Sequence, residues 1–199
     1  MFSGQIAFEP FRHEQGLRCQ LFCPAATDLH LRPLNRNDTE ALFAVITANR
    51  DCLKQWLPWL ETHRTLADSQ NFIQFSRDRA EANNGFISAI CSSHSIIGIV
   101  GLNYINWENR LSGLGYWLAE THQGKGIMTI ACKALIDYSF ITLKLNRLEI
   151  RCADQNHRSA AVAQRLGFTY EGRLREVEWL YNRFVDHKVY ALLRRDWQF

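Results

Sequence analysis

Apolar positions recur along the chain with two periods, and the switches between them outline the fold. In "DLHLRPLNR" (28–36), Leu29 and Leu31 alternate with polar neighbours, the period of a half-buried strand. The spacing then becomes helical. Asn37 and Glu40 form a capping-box pair ahead of a stripe of Leu42, Phe43 and Ile46, and a second helix is expected from about Asp68 or Ser69, carrying Phe72, Ile73 and Ala80 and stopping at Gly85. From 86 to 119 the segments "FISAIC", "IIGIVGLNYI" and "LSGLGYWLA" are strand-sized and separated by turn-forming residues, which predicts an antiparallel meander. Ile127, Ile130, Ala131, Ala134, Leu135, Tyr138 and Ile141 mark a long amphipathic helix. "LEIRC" (148–152) alternates again, "NHRSAAVAQRLGF" reads as a short helix capped by Asn156 and ended by Gly167, and two strands near 169–176 and 184–195 close the chain. The sum is an α+β domain without internal repeat or linker.

At 199 residues the chain suits one domain, and its charge of +3 is too small to mark a nucleic-acid footprint, although its last third is richer in Arg. The longest apolar run, "IIGIVGL" (96–102), falls far short of the ~20 residues of a membrane span. "MFSGQIAFEPFRHEQ" has no apolar signal core, so a cytoplasmic protein is expected. The six cysteines are scattered through apolar patterns, as reduced core thiols are. Cys19 and Cys23, even with His13 and His30, match no standard zinc spacing, so no metal is expected.

The chemistry is concentrated in "HQGKGIMTIACKALIDYSF" (122–140), where two glycines precede a helix. Unpaired N–H groups at a helix start, reinforced by the helix dipole, attract an anion, and glycine lets a phosphate approach the backbone. A nucleotide P-loop is excluded because Gly126 follows Gly124-Lys125 and Ala119 stands where its first glycine should be. The dinucleotide pattern fails at Thr129, where it needs a third glycine.

Gln123-Gly124-Lys125-Gly126-Ile127-Met128 resembles the pyrophosphate loop of the GNAT superfamily of acyl-CoA-dependent N-acyltransferases, [QR]-x-x-G-x-[GA], with Met128 replacing the final small residue. The ordered segments "GYWLAETHQGKGIMTIACKALIDYSF", "LNRLEIRCADQNHRSAAVAQRLGFTYEGRLRE" and "YNRFVDHKVYALL" resemble the branch holding the ribosomal-protein N-terminal serine and alanine acetyltransferases. That resemblance spans roughly 28–197. It implies a mixed, mostly antiparallel central sheet flanked by helices, a single domain over 26–199 preceded by an extension of unknown role over 1–25, and a homodimer.

It further implies acetyl-CoA as co-substrate, its pyrophosphate held by the N–H groups of Gly124 to Met128 with Gln123 and Lys125. The strand before the loop would splay from its neighbour and offer backbone groups of Leu118 and Ala119, while Asn156 would contact the pantetheine arm. Where many members carry a Tyr acid, this chain has Ala163. Ser159 is then the acid by resemblance, and Glu178 the base, with Glu176 two residues away. Trp56 and Trp59, in "DCLKQWLPWLETHR" (51–64), suit either a substrate-side wall or a loop pinned to the core. His122 and His157 are left outside the site, and Tyr116, Tyr181 and Tyr190 are read as packing residues. The acceptor is expected to be a protein N-terminal amine. A small amine such as a polyamine or antibiotic, a catalytically silent CoA-binding module, and an RNA-binding surface are rival readings, the last two without turnover.

Overall fold

The computed structural model describes residues 17–23 and 26–198, so His13 lies outside the described residues. Strands β1 (Cys19–Cys23), β2 (Ala26–Pro33), β3 (Phe86–Ser92), β4 (Ser95–Asn106), β5 (Leu111–Leu118), β6 (Arg147–Ala153), β7 (Thr169–Leu180) and β8 (Arg183–Leu193) form one eight-stranded sheet in the order β1-β2-β3-β4-β5-β6-β8-β7. Helices α1 (Thr39–Ala48), α2 (Arg50–Lys54), α3 (Leu66–Glu81), α4 (Ile127–Ile141) and α5 (His157–Arg165) flank it. Part of the 1–25 segment is therefore integral: β1 adds an edge strand, and Leu17 and Leu21 are buried in the core.

Every strand pair but one is antiparallel. The exception is β5 with β6, joined through the α4 crossover and paired only from Leu111↔Arg147 to Leu114↔Ile150. Beyond that rung β5 continues on β4 alone and β6 on β8 alone, so the two strands part. The alternation of β5 serves both faces of the sheet. Leu114 and Leu118, with Tyr116 against them, join the core beneath α4 and α5, while Trp117 enters the second core with Leu42, Ile46 and Ile73 of α1 and α3.

Three local expectations are corrected. The capping box belongs to Asn35 and Asp38, two residues before the anticipated pair, and opens a 3-10 turn over Arg36–Asp38. Arg32 fixes that choice with two 2.7 Å hydrogen bonds to the buried Asp38 carboxylate. Helix α3 starts at Leu66 under a Thr65/Asp68 box and is capped at Ala82, before Gly85. Ile141 ends its stripe exposed, because α4 stops there.

The two tryptophans of segment 51–64 are placed differently. Trp59 stacks on Phe72 and meets the His63 ring edge-on, which pins the loop to the second core, whereas Trp56 faces the cleft described below. Arg50 braces the loop by donating to the carbonyls of Leu60 and His63. His63 is itself buried, 2.8 Å from Ser69 Oγ through Nε2. Desolvation, opposed by Asp68 and assisted by Arg50, holds its pKa below the ordinary value. A base whose folded pKa is depressed stabilises the fold above its unfolded value of about 6.5 and loses that contribution as pH falls toward the folded value. His63→Gln is therefore expected to flatten the acid limb of Tm against pH, measured by thermal melts between pH 5 and 8.

Candidate active site

Where β5 and β6 part, a cleft of about 770 Å3 opens. One wall is the free end of β5, from Tyr116 to Leu118. The antiparallel ladder fixes how that wall is presented. Ala119 N–H donates to Ile97 O at 2.8 Å, so the preceding residue, Leu118, turns its own N–H and C=O toward the gap. The Leu118 carbonyl accepts from Gln123 Nε2 at 2.9 Å, and its N–H remains aimed at the cleft. Ala119 is different: its N–H is committed to β4, its carbonyl accepts from His122 N–H, and it does not line the cleft.

The second wall is the start of α4. Gly124 and Gly126 have φ of +74° and +78°, a left-handed backbone that side chains disfavour, and a Cβ at either would meet nothing within 4 Å. The first N–H groups of α4 thus face open space at the positive end of its dipole. Met128 does not obstruct this loop, because its side chain is buried in the core beneath α4. Gln123 does not point outward as an anion ligand would. Its amide bridges the gap, donating to Leu118 O while its Oε1 accepts from Arg158 at 2.5 Å. Lys125 and Gly126 are exposed and outside the lining.

The third wall is the start of α5. Asn156 Oδ1 accepts from Ser159 N–H at 3.0 Å, the N-cap bond that fixes the first turn of α5, and Ser159 lines the cleft. Ser159 Oγ lies 2.9 Å from the Tyr116 hydroxyl. Cys52, Gln55, Trp56 and Leu57 form the opposite side. Tyr181 steadies that side by donating to Leu57 O at 2.7 Å.

Glu178 stands apart from this lining. It sits half-buried on β7, its Oε2 3.2 Å from His187 Nε2. His187 pairs in register with Ala153, whose carbonyl accepts from Asn156 N–H, so the Glu178–His187 pair flanks the turn that carries Ser159. Glu176 lies in a bulge at φ +49°, exposed, with its N–H bound to Asp186. Leu118, Gln123, Gly124, Ile127, Met128, Asn156, Ser159 and Trp56 therefore converge, and Ala119, Lys125, Gly126, Trp59 and Glu178 do not line the cleft. Sequence reasoning missed Tyr116, Arg158, His122 and His157, all of which do. For Arg158 a signal existed, a cation in the first turn of the helix facing the glycine loop.

A splayed strand pair over a glycine-rich helix start is the architecture of an enzyme that transfers an acyl group from a CoA thioester to an amine. The chain belongs to the GNAT family: the model of its acetyltransferase domain matches residues 28–169, and the protein is an N-acetyltransferase. It is 31% identical to the ribosomal-protein-serine acetyltransferase of Escherichia coli K12 over 163 residues, 82% of this chain and 91% of that one. Among solved structures, RimL, a ribosomal L7/L12 alpha-N-protein acetyltransferase in complex with coenzyme A, superposes with a TM-score of 0.81 at 28% identity, covering 86% of this chain and 97% of its own. The microcin C7 self-immunity acetyltransferase MccE, bound to acetyl-CoA and AMP, gives 0.79 at 29% identity, covering 85% and 97%. No helix among the described residues is long and apolar enough to cross a membrane.

Proposed function

We propose that this enzyme acetylates the N-terminal α-amine of a protein, of the ribosomal-protein class, using acetyl-CoA in the cytoplasm. The observation that carries the reading is the meeting of three groups in one cleft: the open N–H groups of the α4 start, the Leu118 N–H, and the Ser159 hydroxyl. The residues present fit the co-substrate. Gly124 and Gly126 leave the pyrophosphate room against the backbone, Asn156 and the free edge of β5 suit the pantetheine arm, and Leu118 N–H suits the oxyanion that develops at the thioester carbonyl. Ser159 is positioned to give a proton to the leaving sulfur, and Glu178, through a water, to take one from the amine.

An α-amine has a pKa near 8, against about 10.4 for a lysine-like amine, so much less driving force is needed to free its lone pair at neutral pH. Exposed Trp179 and Phe184, stacked edge-to-face on the β7–β8 hairpin, support a homodimer contact there. Direct nucleic-acid binding and a membrane role have no place in this reading.

The test is CoA release from acetyl-CoA with separate acceptor pools: peptides with free N-terminal Ser, Ala or Thr, polyamines, and aminoglycoside-type amines. Release with the peptides alone is expected. Turnover confined to a small-amine pool would replace the acceptor assignment, and binding of acetyl-CoA without release in any pool would favour a sensor.

A further inference from the structure

Tyr116 is a cleft residue whose hydroxyl is directed at the Ser159 side chain instead of at open space. Its ring packs against the core beneath α4, and its hydroxyl reaches across the parted strands from β5 to α5. Two oxygens of Ser159 are near it: Oγ at 2.9 Å and the carbonyl at 3.3 Å. Only the first falls within the usual range for a hydroxyl donor. The carbonyl also lies inside α5, where the backbone ladder supplies it with a partner.

A serine hydroxyl has a single proton and rotates to suit its surroundings. If Ser159 gives that proton to Tyr116, nothing is left for a group in the cleft. If Tyr116 donates, Ser159 Oγ is satisfied as an acceptor and its own proton is free to point inward. Cys152, a neighbour of Ser159, is a weak competitor because a thiol sulfur accepts poorly. Asn156 takes the Ser159 N–H and leaves the hydroxyl alone.

We propose that Tyr116 is a positioning residue: its hydroxyl donates to Ser159 Oγ and turns the serine proton toward the leaving sulfur of the acyl donor. The inference rests on the reading of Ser159 given above. As the amine nitrogen bonds to the carbonyl carbon and the C–S bond breaks, the sulfur takes the Ser159 proton, the amine proton departs by way of Glu178, and Ser159 is reprotonated from solvent. Tyr116 keeps its own proton throughout. Desolvation, above all, raises its pKa far beyond that of a thiol, so it orients and does not supply.

The test is a double-mutant cycle of Tyr116→Phe and Ser159→Ala, followed as CoA release with a peptide bearing a free N-terminal Ser and with water as the only acceptor. Tyr116→Phe is expected to lower kcat by about tenfold with little change in the KM for acetyl-CoA or in Tm, since only a hydroxyl is lost. Ser159→Ala is expected to lower kcat by about a hundredfold, and the double variant no further than Ser159→Ala alone, because Tyr116 acts only through the serine. Multiplying defects, or Tyr116→Phe at the parental rate while Ser159→Ala is slow, would overturn the role of Tyr116 alone. Ser159→Ala at the parental rate would remove the acid assignment itself. Incorporation of 3-fluorotyrosine at position 116, a stronger donor and weaker acceptor of nearly the same bulk, provides a second probe should the phenylalanine variant not fold. Retained kcat is expected, and a collapse would show that Tyr116 accepts from Ser159, contrary to the proposal.

Discussion

Glu178→Gln is expected to lower kcat by about 10^2 to 10^4-fold, the usual contribution of a positioned acid or base. Its effect on acetyl-CoA affinity should stay within about twofold, since an interaction needed only for chemistry leaves ground-state binding unchanged. Glutamine keeps the volume and can still hydrogen-bond His187, so the sheet is preserved while the proton acceptor is lost. Glu176→Gln is the matched control. Glu176 is exposed in the bulge, fixed through its backbone to Asp186, and should tolerate the change. The measurement is a pair of saturation curves for each variant beside acetyl-CoA titration followed calorimetrically. A large defect in the Glu176 variant with a silent Glu178 variant would move the base two residues along the strand.

The second large effect is on stability. Phe140 is among the largest fully buried side chains and sits in the core beneath α4. Phe140→Ala should cost about 3–5 kcal/mol through lost burial and the cavity left behind. In a chain of this length that corresponds to a drop of roughly 10 °C in Tm, read by calorimetry. At 1.5 Å per residue, position 140 is about 20 Å along the helix from the glycine loop. Turnover per folded molecule, assayed well below the transition, should therefore survive. A comparable loss of activity and unchanged Tm would mean that α4 transmits the change to the loop without unfolding.

The regular elements were legible because burial on one face imposes a period. The stripe from Ile127 to Tyr138 and the meander of β3 to β5 show it plainly. Caps were less so, since Asn35/Asp38, Asn37/Glu40 and Thr65/Asp68 all fit the local pattern, and a tertiary contact chose between the first two. Arg32 on β2 engages Asp38, and the helix start follows that ion pair. The glycine loop and the Asn156 cap could be placed because each lies in local backbone geometry, whereas Ser159 was singled out by resemblance alone. Tyr116 could not: its alternation on β5 gives a face of the sheet, but its partner is 43 residues away. The two tryptophans of 51–64 look alike in sequence, and only packing against Phe72 separates Trp59 from Trp56. For Gln123 the position was readable and the direction was not, since its amide is spent on Leu118 and Arg158.

The brevity of the β5–β6 ladder sets a limit on how this protein can be improved. Four rungs join the two halves of the sheet, and beyond them β5 and β6 no longer pair with each other. Extending the ladder along Gly115 to Leu118 would add main-chain bonds and close the gap between β5 and β6 in which the cleft opens. Selection for a tighter sheet and selection for turnover therefore pull on the same few residues in opposite directions, and thermostable variants should gain their increments anywhere but there.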